Sequence, residues 1–256
     1  MATTTTSTSS GTNAQPTSRD RTMGLGNRLR AALEKNKVLQ ETVTANQDGE
    51  NTPPPPPPTE TESFQDGIAY AYITLNEGDL DDLTLEDMAL AGNYLDEAAV
   101  SISPTDPDAA LGMFELYALL SEGYFGKEAY EKTDAALQKG IGIVDEFLAT
   151  SEDTDDREMV SYEVGYILYD FNYPSLAIDY FYTSLEEDPG DADNAYMLAT
   201  CLALNDQSDE ALTFLEYALK LGYHLGEDAT DIDSDEDFDS IRYTEAYQAL
   251  KKQYGF

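Results

Sequence analysis

An all-α fold is predicted for most of this 256-residue chain. It takes the form of a helical solenoid of about three to four helix pairs, with a C-terminal capping helix and a disordered N-terminal arm. Three observations predict it. Val164, Gly165, Leu168, Ala177, Phe181, Ser184 and Pro189 form one spaced set. Leu198, Ala199, Leu202, Ala211, Leu215 and Ala218 follow in the same order 34 residues later. A self-similarity of that period, with small residues at fixed offsets, marks stacked helix–turn–helix units. From residue 64 onward, apolar residues fall largely at helical rather than strand spacing. Before residue 64 the chain is polar and proline-rich, so the organisation divides into 1–63 and 64–256.

The body is justified element by element. Ile68, Tyr70 and Tyr72 alternate like a strand, but the alanines and the helical surroundings favour a helix over 64–76. Thr84 is an N-cap, with Asp87 completing a near capping box, and opens a helix to about Ser101. Whether residues 64–103 make a true repeat is left open by the pattern. Pro104 and Pro107 force a break, and Asp106 or Asp108 caps a helix over about 108–122. Gly123 and Gly126 mark the turn into a long helix at 127–149. Two pairs follow, 156–170 with 174–187 and 191–204 with 208–221. Pro174 stands in a first helical turn, where a missing N–H costs little. In each unit small residues (Gly165 with Ala177, Ala199 with Ala211) occupy the helix crossing, and Phe181 or Leu215 fills the gap beyond. An earlier unit fits at an offset of 48, with Leu120 matching Leu168, Ala129 matching Ala177 and Ala136 matching Ser184. Thr133 then stands where Phe181 does. Its excess of 14 residues is about four helical turns and predicts an extended second helix.

The arm has three parts. Residues 1–18 cannot bury enough apolar surface to fold. Pro53 to Pro58 predicts a polyproline spacer. Between them, Met23, Leu25, Leu29, Ala32, Leu33 and Val38 fall near helical spacing over 20–42. Arg28, Arg30, Lys35 and Lys37 surround them. This island is too short to be stable alone, and Arg28, Leu29, Arg30 and Leu33 are its candidate partner-binding residues.

Charge narrows the partners. The formal net charge is −37. Residues 1–62 carry six basic and seven acidic groups, whereas 63–256 carry 44 acidic and 8 basic, a net −36. Such a polyanion repels nucleic acid and anionic lipid and attracts basic partners. A solvated acidic surface serving solubility is the plainer reading of the same charge. No run of about 18 apolar residues would span a membrane, so a cytoplasmic protein is expected, with organelle import by the Ser/Thr-rich N-terminus as the alternative.

Chemistry finds little foothold. Asp228, Asp231, Asp233, Asp235, Asp237 and Asp239 suggest calcium. Yet a calcium loop begun at Asp231 would need Gly and Glu where Glu236 and Arg242 stand. Cys201 and His224 are the only residues of their kinds, which argues against zinc. Cys201 is expected in the core and His224 on a surface loop. No phosphate-binding glycine loop or nucleophile elbow is present. A non-enzymatic protein without cofactor or metal is expected.

The spaced set resembles the tetratricopeptide repeat family, in Val164-Gly165, Leu168, Ala177, Phe181 and Pro189, then Leu198-Ala199, Leu202, Ala211, Leu215 and Ala218. The aromatic usual at the fourth position is replaced by Ser161 and Ala195. The stretch from Asp233 through Tyr254 is similar to tails that close bacterial members, with Phe238, Ile241, Tyr247 and Leu250 facing inward. The resemblance implies a superhelix that recognises peptides and proteins on a concave face built from the first helix of each pair. By alignment, Tyr162, Tyr166, Tyr169 and Asp170 project there, then Tyr196, Thr200 and Ala203. The Lys and Asn that some members use to clamp a C-terminal carboxylate are absent. An acidic, tyrosine-lined groove for a basic or amphipathic segment is expected, with packing of some tyrosines between repeats as the plainer alternative. The chain's own 20–42 helix is one candidate occupant. Two rival roles are an assembly or targeting protein docked by that helix, and a secretion-type chaperone.

Overall fold

The structure is a computed structural model and describes residues 70–100, 102–225 and 231–256. The island at 20–42, the polyproline run and residues 64–69 lie outside the described residues. Among the described residues every regular element is helical. A π-helical turn, Ile73–Glu77, comes first, and eight α-helices follow. These are α1 (Leu85–Ala99), α2 (Pro107–Gly126), α3 (Tyr130–Thr150), α4 (Thr154–Asp170), α5 (Pro174–Glu187), α6 (Ala192–Leu204), α7 (Ser208–Leu221) and α8 (Glu245–Tyr254). Helices α2 with α3, α4 with α5, and α6 with α7 form antiparallel pairs. The first helices of successive pairs lie side by side, α2 against α4 and α4 against α6.

Local chemistry sets the helix ends. The Thr84 hydroxyl accepts the Asp87 N–H at 3.2 Å while the Asp87 carboxylate accepts the Thr84 N–H at 3.0 Å, a reciprocal capping box. Of the two candidate caps for α2, Asp106 is the one that accepts, from Ala109 N–H at 3.1 Å. Asp153 and Asp191 cap α4 and α6. The segment that alternates like a strand is helical in its described part. Its π turn ends at Gly78, where a Cβ would lie 2.3 Å from the Thr74 carbonyl oxygen.

One turn is built three times. Residues 127–129, 171–173 and 205–207 join the two helices of each pair, and the middle residue of each (Glu128, Asn172, Asp206) is left-handed, with φ 58°, 63° and 60°. The third residue closes the turn on the carbonyl five residues back: Ala129 to Tyr124, Tyr173 to Leu168 and Gln207 to Leu202, at 2.8–2.9 Å. These turns fix the register of the units. Asn172 to Asp206 is the 34-residue period, but Glu128 to Asn172 is 44, which corrects the offset of 48. Ser121 therefore matches Gly165, Thr133 matches Ala177 and Leu137 matches Phe181. At that crossing the Ser121 hydroxyl donates to the Thr133 carbonyl at 3.0 Å. The slip of four residues has a simple cause: an apolar stripe nearly repeats after one helical turn, so the pattern alone slides by that step. The extra length sits in α3, 21 residues against 14 in α5 and α7, and in α4, 17 against 13 in α6.

Apart from Pro189, which is exposed, the residues of the repeat set are buried. Val164, Leu168, Ala177, Phe181, Ser184, Leu198, Ala199, Leu202, Ala211, Leu215 and Ala218 are each fully enclosed. Helix α2 is the hinge of the core. It is buried on every face from Ala110 to Ser121. One side (Leu111, Phe114, Ala118) joins the core that runs to α8, and the other (Met113, Leu116, Leu120) joins Tyr70, Leu75, Met88 and Leu95.

Polar ties cross between elements. Tyr117 donates to Asp96 at 2.8 Å and Tyr180 to Asp145 at 3.0 Å. The buried Asn194 amide meets the Ser184 hydroxyl at 2.7 Å and links α6 to α5. His224, expected on a loop surface, stands edge-on to Tyr254 with its ring centroid 5.6 Å away, in a short 3-10 turn. Cys201 is enclosed, and burial, with Asp237 nearby, pushes its thiol up to about 12. We expect a thiol reagent at pH ~8 to label Cys201 only as fast as the chain opens. Labelling as fast as that of a free thiol would contradict this burial.

Candidate interaction surface

The face formed by the first helices carries the tyrosines. On α4, Tyr162, Tyr166 and Tyr169 make a continuous aromatic run, with ring centroids 6.4 Å and 6.0 Å apart. All three are half-buried and Asp170 is exposed. Tyr162 is anchored edge-on against Phe181 at 5.9 Å, so the repeat's own core supports the run. Its hydroxyl holds its proton more firmly than a free phenol, chiefly through burial and then through the nearby carboxylates of Asp191 and Asp193. That coupling places acids from α6 and its cap beside the α4 rings.

On the next unit the same face is covered by the chain's own C-terminal segment. Tyr196 is buried, stacked on Tyr223 at 4.0 Å and met edge-on by Phe238 at 5.5 Å. Its hydroxyl donates to the Asp235 carboxylate. Thr200 is buried and its hydroxyl donates back to the Tyr196 carbonyl at 3.0 Å. Ser240 donates to the Ala203 carbonyl at 3.1 Å. The expected site residues therefore separate. Tyr162, Tyr166, Tyr169 and Asp170 come together on α4, whereas Tyr196 and Thr200 lie under the tail. Arg28, Leu29, Arg30 and Leu33 lie outside the described residues.

The aspartate run that suggested calcium has internal work. Asp235 receives Tyr196, and Asp237 receives the Tyr169 hydroxyl at 2.5 Å. Asp233 pairs with Lys251, and Asp239 with Arg242. Burial pushes the Asp237 carboxyl up, and the Tyr169 hydrogen bond partly offsets this. Phe238, Ile241, Tyr247 and Leu250 are buried beneath the run, and the Tyr247 hydroxyl donates to the Ile232 carbonyl at 2.8 Å. Among the described residues no three His, Cys, Asp or Glu side chains converge as a metal site.

Sequence reasoning missed Glu115. It is the one charged residue in the buried stretch of α2 and is only 3% exposed. By the turn register it occupies the place that Met159 holds on α4, so it belongs to the first-helix face. Its Oε1 is enclosed without a hydrogen-bond partner. Burial, and then Glu163 on α4, raise its carboxyl to about 8. The signal lay in the sequence as a lone acid within Leu111-Gly-Met-Phe-Glu-Leu-Tyr-Ala-Leu-Leu.

Stacked helix pairs with a repeated turn and a closing helix define a helical-repeat protein of the kind that presents a binding face. Residues 180–213 match the tetratricopeptide repeat family, a window of one period that runs from mid-α5 through α6 into α7. Over that window the chain carries a tetratricopeptide repeat. A comparison with curated proteins finds no match. No helix among the described residues is long and apolar enough to cross a membrane.

Proposed function

We propose that this protein is a non-enzymatic interaction adaptor that holds a basic or amphipathic protein segment on the α4 face. The family is one of protein–protein interaction modules, and the reading rests on the aromatic run of Tyr162, Tyr166 and Tyr169 with Asp170, Glu163, Asp191 and Asp193 around it. Tyrosine combines broad apolar area with little rotamer entropy to lose, which suits it to bind extended or helical segments. Lysine and arginine stems lie across such rings while carboxylates take the charge. The net −36 of residues 63–256 draws cationic ligands in, at a rate that falls with salt.

Tyr166→Ala is the cleanest probe, because Tyr162 also packs on Phe181. We expect the variant to bind a basic amphipathic peptide roughly tenfold more weakly, with its unfolding midpoint little changed. Wild-type affinity should fall steeply between low and moderate salt. Calorimetric titration reads both. Equal affinity of wild type and Tyr166→Ala, or affinity indifferent to salt, would reject the reading.

A further inference from the structure

Glu115 poses a problem that the described body does not solve. A desolvated carboxylate is costly unless a cation or a set of donors meets it. Its Oε1 has no hydrogen-bond partner, and the charge it feels from α4, the helix packed against its own, is that of another acid, Glu163. The body has eight cations to offer; seven are engaged elsewhere, and the eighth, Lys252, stands on α8. Lys139, Arg157, Lys220, Arg242 and Lys251 pair with Asp96, Glu187, Glu216, Asp239 and Asp233. Lys127 donates to the Asp81 carbonyl and Lys132 lies over the Tyr124 ring.

We infer that Glu115 and Glu163 form the acceptor for a guanidinium from the chain's own 20–42 segment, seated along the seam between α2 and α4. This rests on the reading of the first-helix face as a site for basic segments and names its resident occupant. Three observations support the choice. The segment carries Arg28 and Arg30 on an apolar helical pattern with Leu29 and Leu33, so it brings both a charge for the acids and apolar area for Tyr162, Tyr166 and Met159. Residues 1–62 hold six of the chain's 14 basic groups. Finally, the described body begins beside the right helix. Tyr70 and Ala71 pack in one cluster with Leu116 and Leu119 of α2, the neighbours of Glu115. The intervening chain, at roughly 3 Å per residue, reaches on the order of 80 Å, so length does not limit the return. A planar guanidinium suits two carboxylates from different helices because its donors fan out in a fixed fork.

Amide hydrogen exchange on the full-length chain tests this. We expect residues 20–42 to be protected at least tenfold over an unstructured chain, independently of protein concentration. Glu115→Gln with Glu163→Gln should remove that protection. So should Arg28→Gln with Arg30→Gln, which leaves the body untouched and so serves if the first variant folds poorly. A peptide spanning residues 19–42, added to the Arg28→Gln/Arg30→Gln chain, should then protect the α2–α4 seam. No protection in the wild type, protection unchanged in both variants, or protection that rises with protein concentration would overturn the assignment. The last would place the segment on a second copy. Each of these can fail while the peptide affinity lost in Tyr166→Ala still stands, so the inference and the function it rests on are judged separately.

Discussion

Phe181→Ala is expected to cost about 3–5 kcal/mol of stability, the range for emptying a fully buried aromatic site. Gly165→Ala is expected to cost about 1–3 kcal/mol, the range for overpacking. The two belong to one crossing. A Cβ on Gly165 would lie 3.0 Å from Cδ1 and Cε1 of the Phe181 ring, which is fully enclosed. The neighbouring unit solves the same crossing with the sizes shifted: Ala199 stands where Gly165 does and Leu215 where Phe181 does, both fully buried. Transplanting that solution, Gly165→Ala with Phe181→Leu, should therefore lose less than the sum of its parts, with a coupling of about 1 kcal/mol or more. Urea unfolding of the four proteins measures it. Strict additivity would show that the glycine and the ring do not share the space.

The second large effect lies in the tail. Phe238→Ala is expected to cost about 3–5 kcal/mol, because its ring is fully enclosed and meets both Tyr196 and Tyr247. The loss has an optical signature. Burial first, and then Asp235, hold the Tyr196 proton well above the ordinary phenol range. Loosening the tail lets water reach that hydroxyl, so more phenolate should form by pH ~11 in the variant than in the wild type. An unchanged phenolate titration would mean that Phe238 does not seal the last unit.

Legibility in the sequence followed the physics of each signal. Gly165, Ala177, Ala199 and Ala211 were readable because a close helix crossing tolerates nothing larger. Asp153 and Asp191 lie one residue outside helices whose starts were placed within two residues. The 44-residue unit was misregistered because helical apolar patterns repeat each turn, and only the left-handed Glu128 breaks that degeneracy. The site was read less well. Tyr196 and Thr200 align with Tyr162 and Tyr166-side positions, but alignment carries no information about which unit comes last. The tail that covers them is held by contacts over long sequence separations, such as Tyr196 to Asp235. Glu115 was passed over because a single acid in an apolar run breaks no periodicity.

Tyr117, Tyr169, Tyr180 and Tyr196 each hand a proton-bearing hydroxyl to an aspartate on another element. In a chain with 18 tyrosines and 14 lysines and arginines, neutral donors do much of what ammonium and guanidinium groups do elsewhere. A phenol–carboxylate bond involves one ion rather than two, so mobile counterions weaken it far less than an ion pair. Rising ionic strength also relaxes the self-repulsion of the acidic body. The scaffold should therefore hold or gain rigidity in salt while its grip on cationic ligands loosens, which makes ionic strength a release signal that leaves the receptor intact.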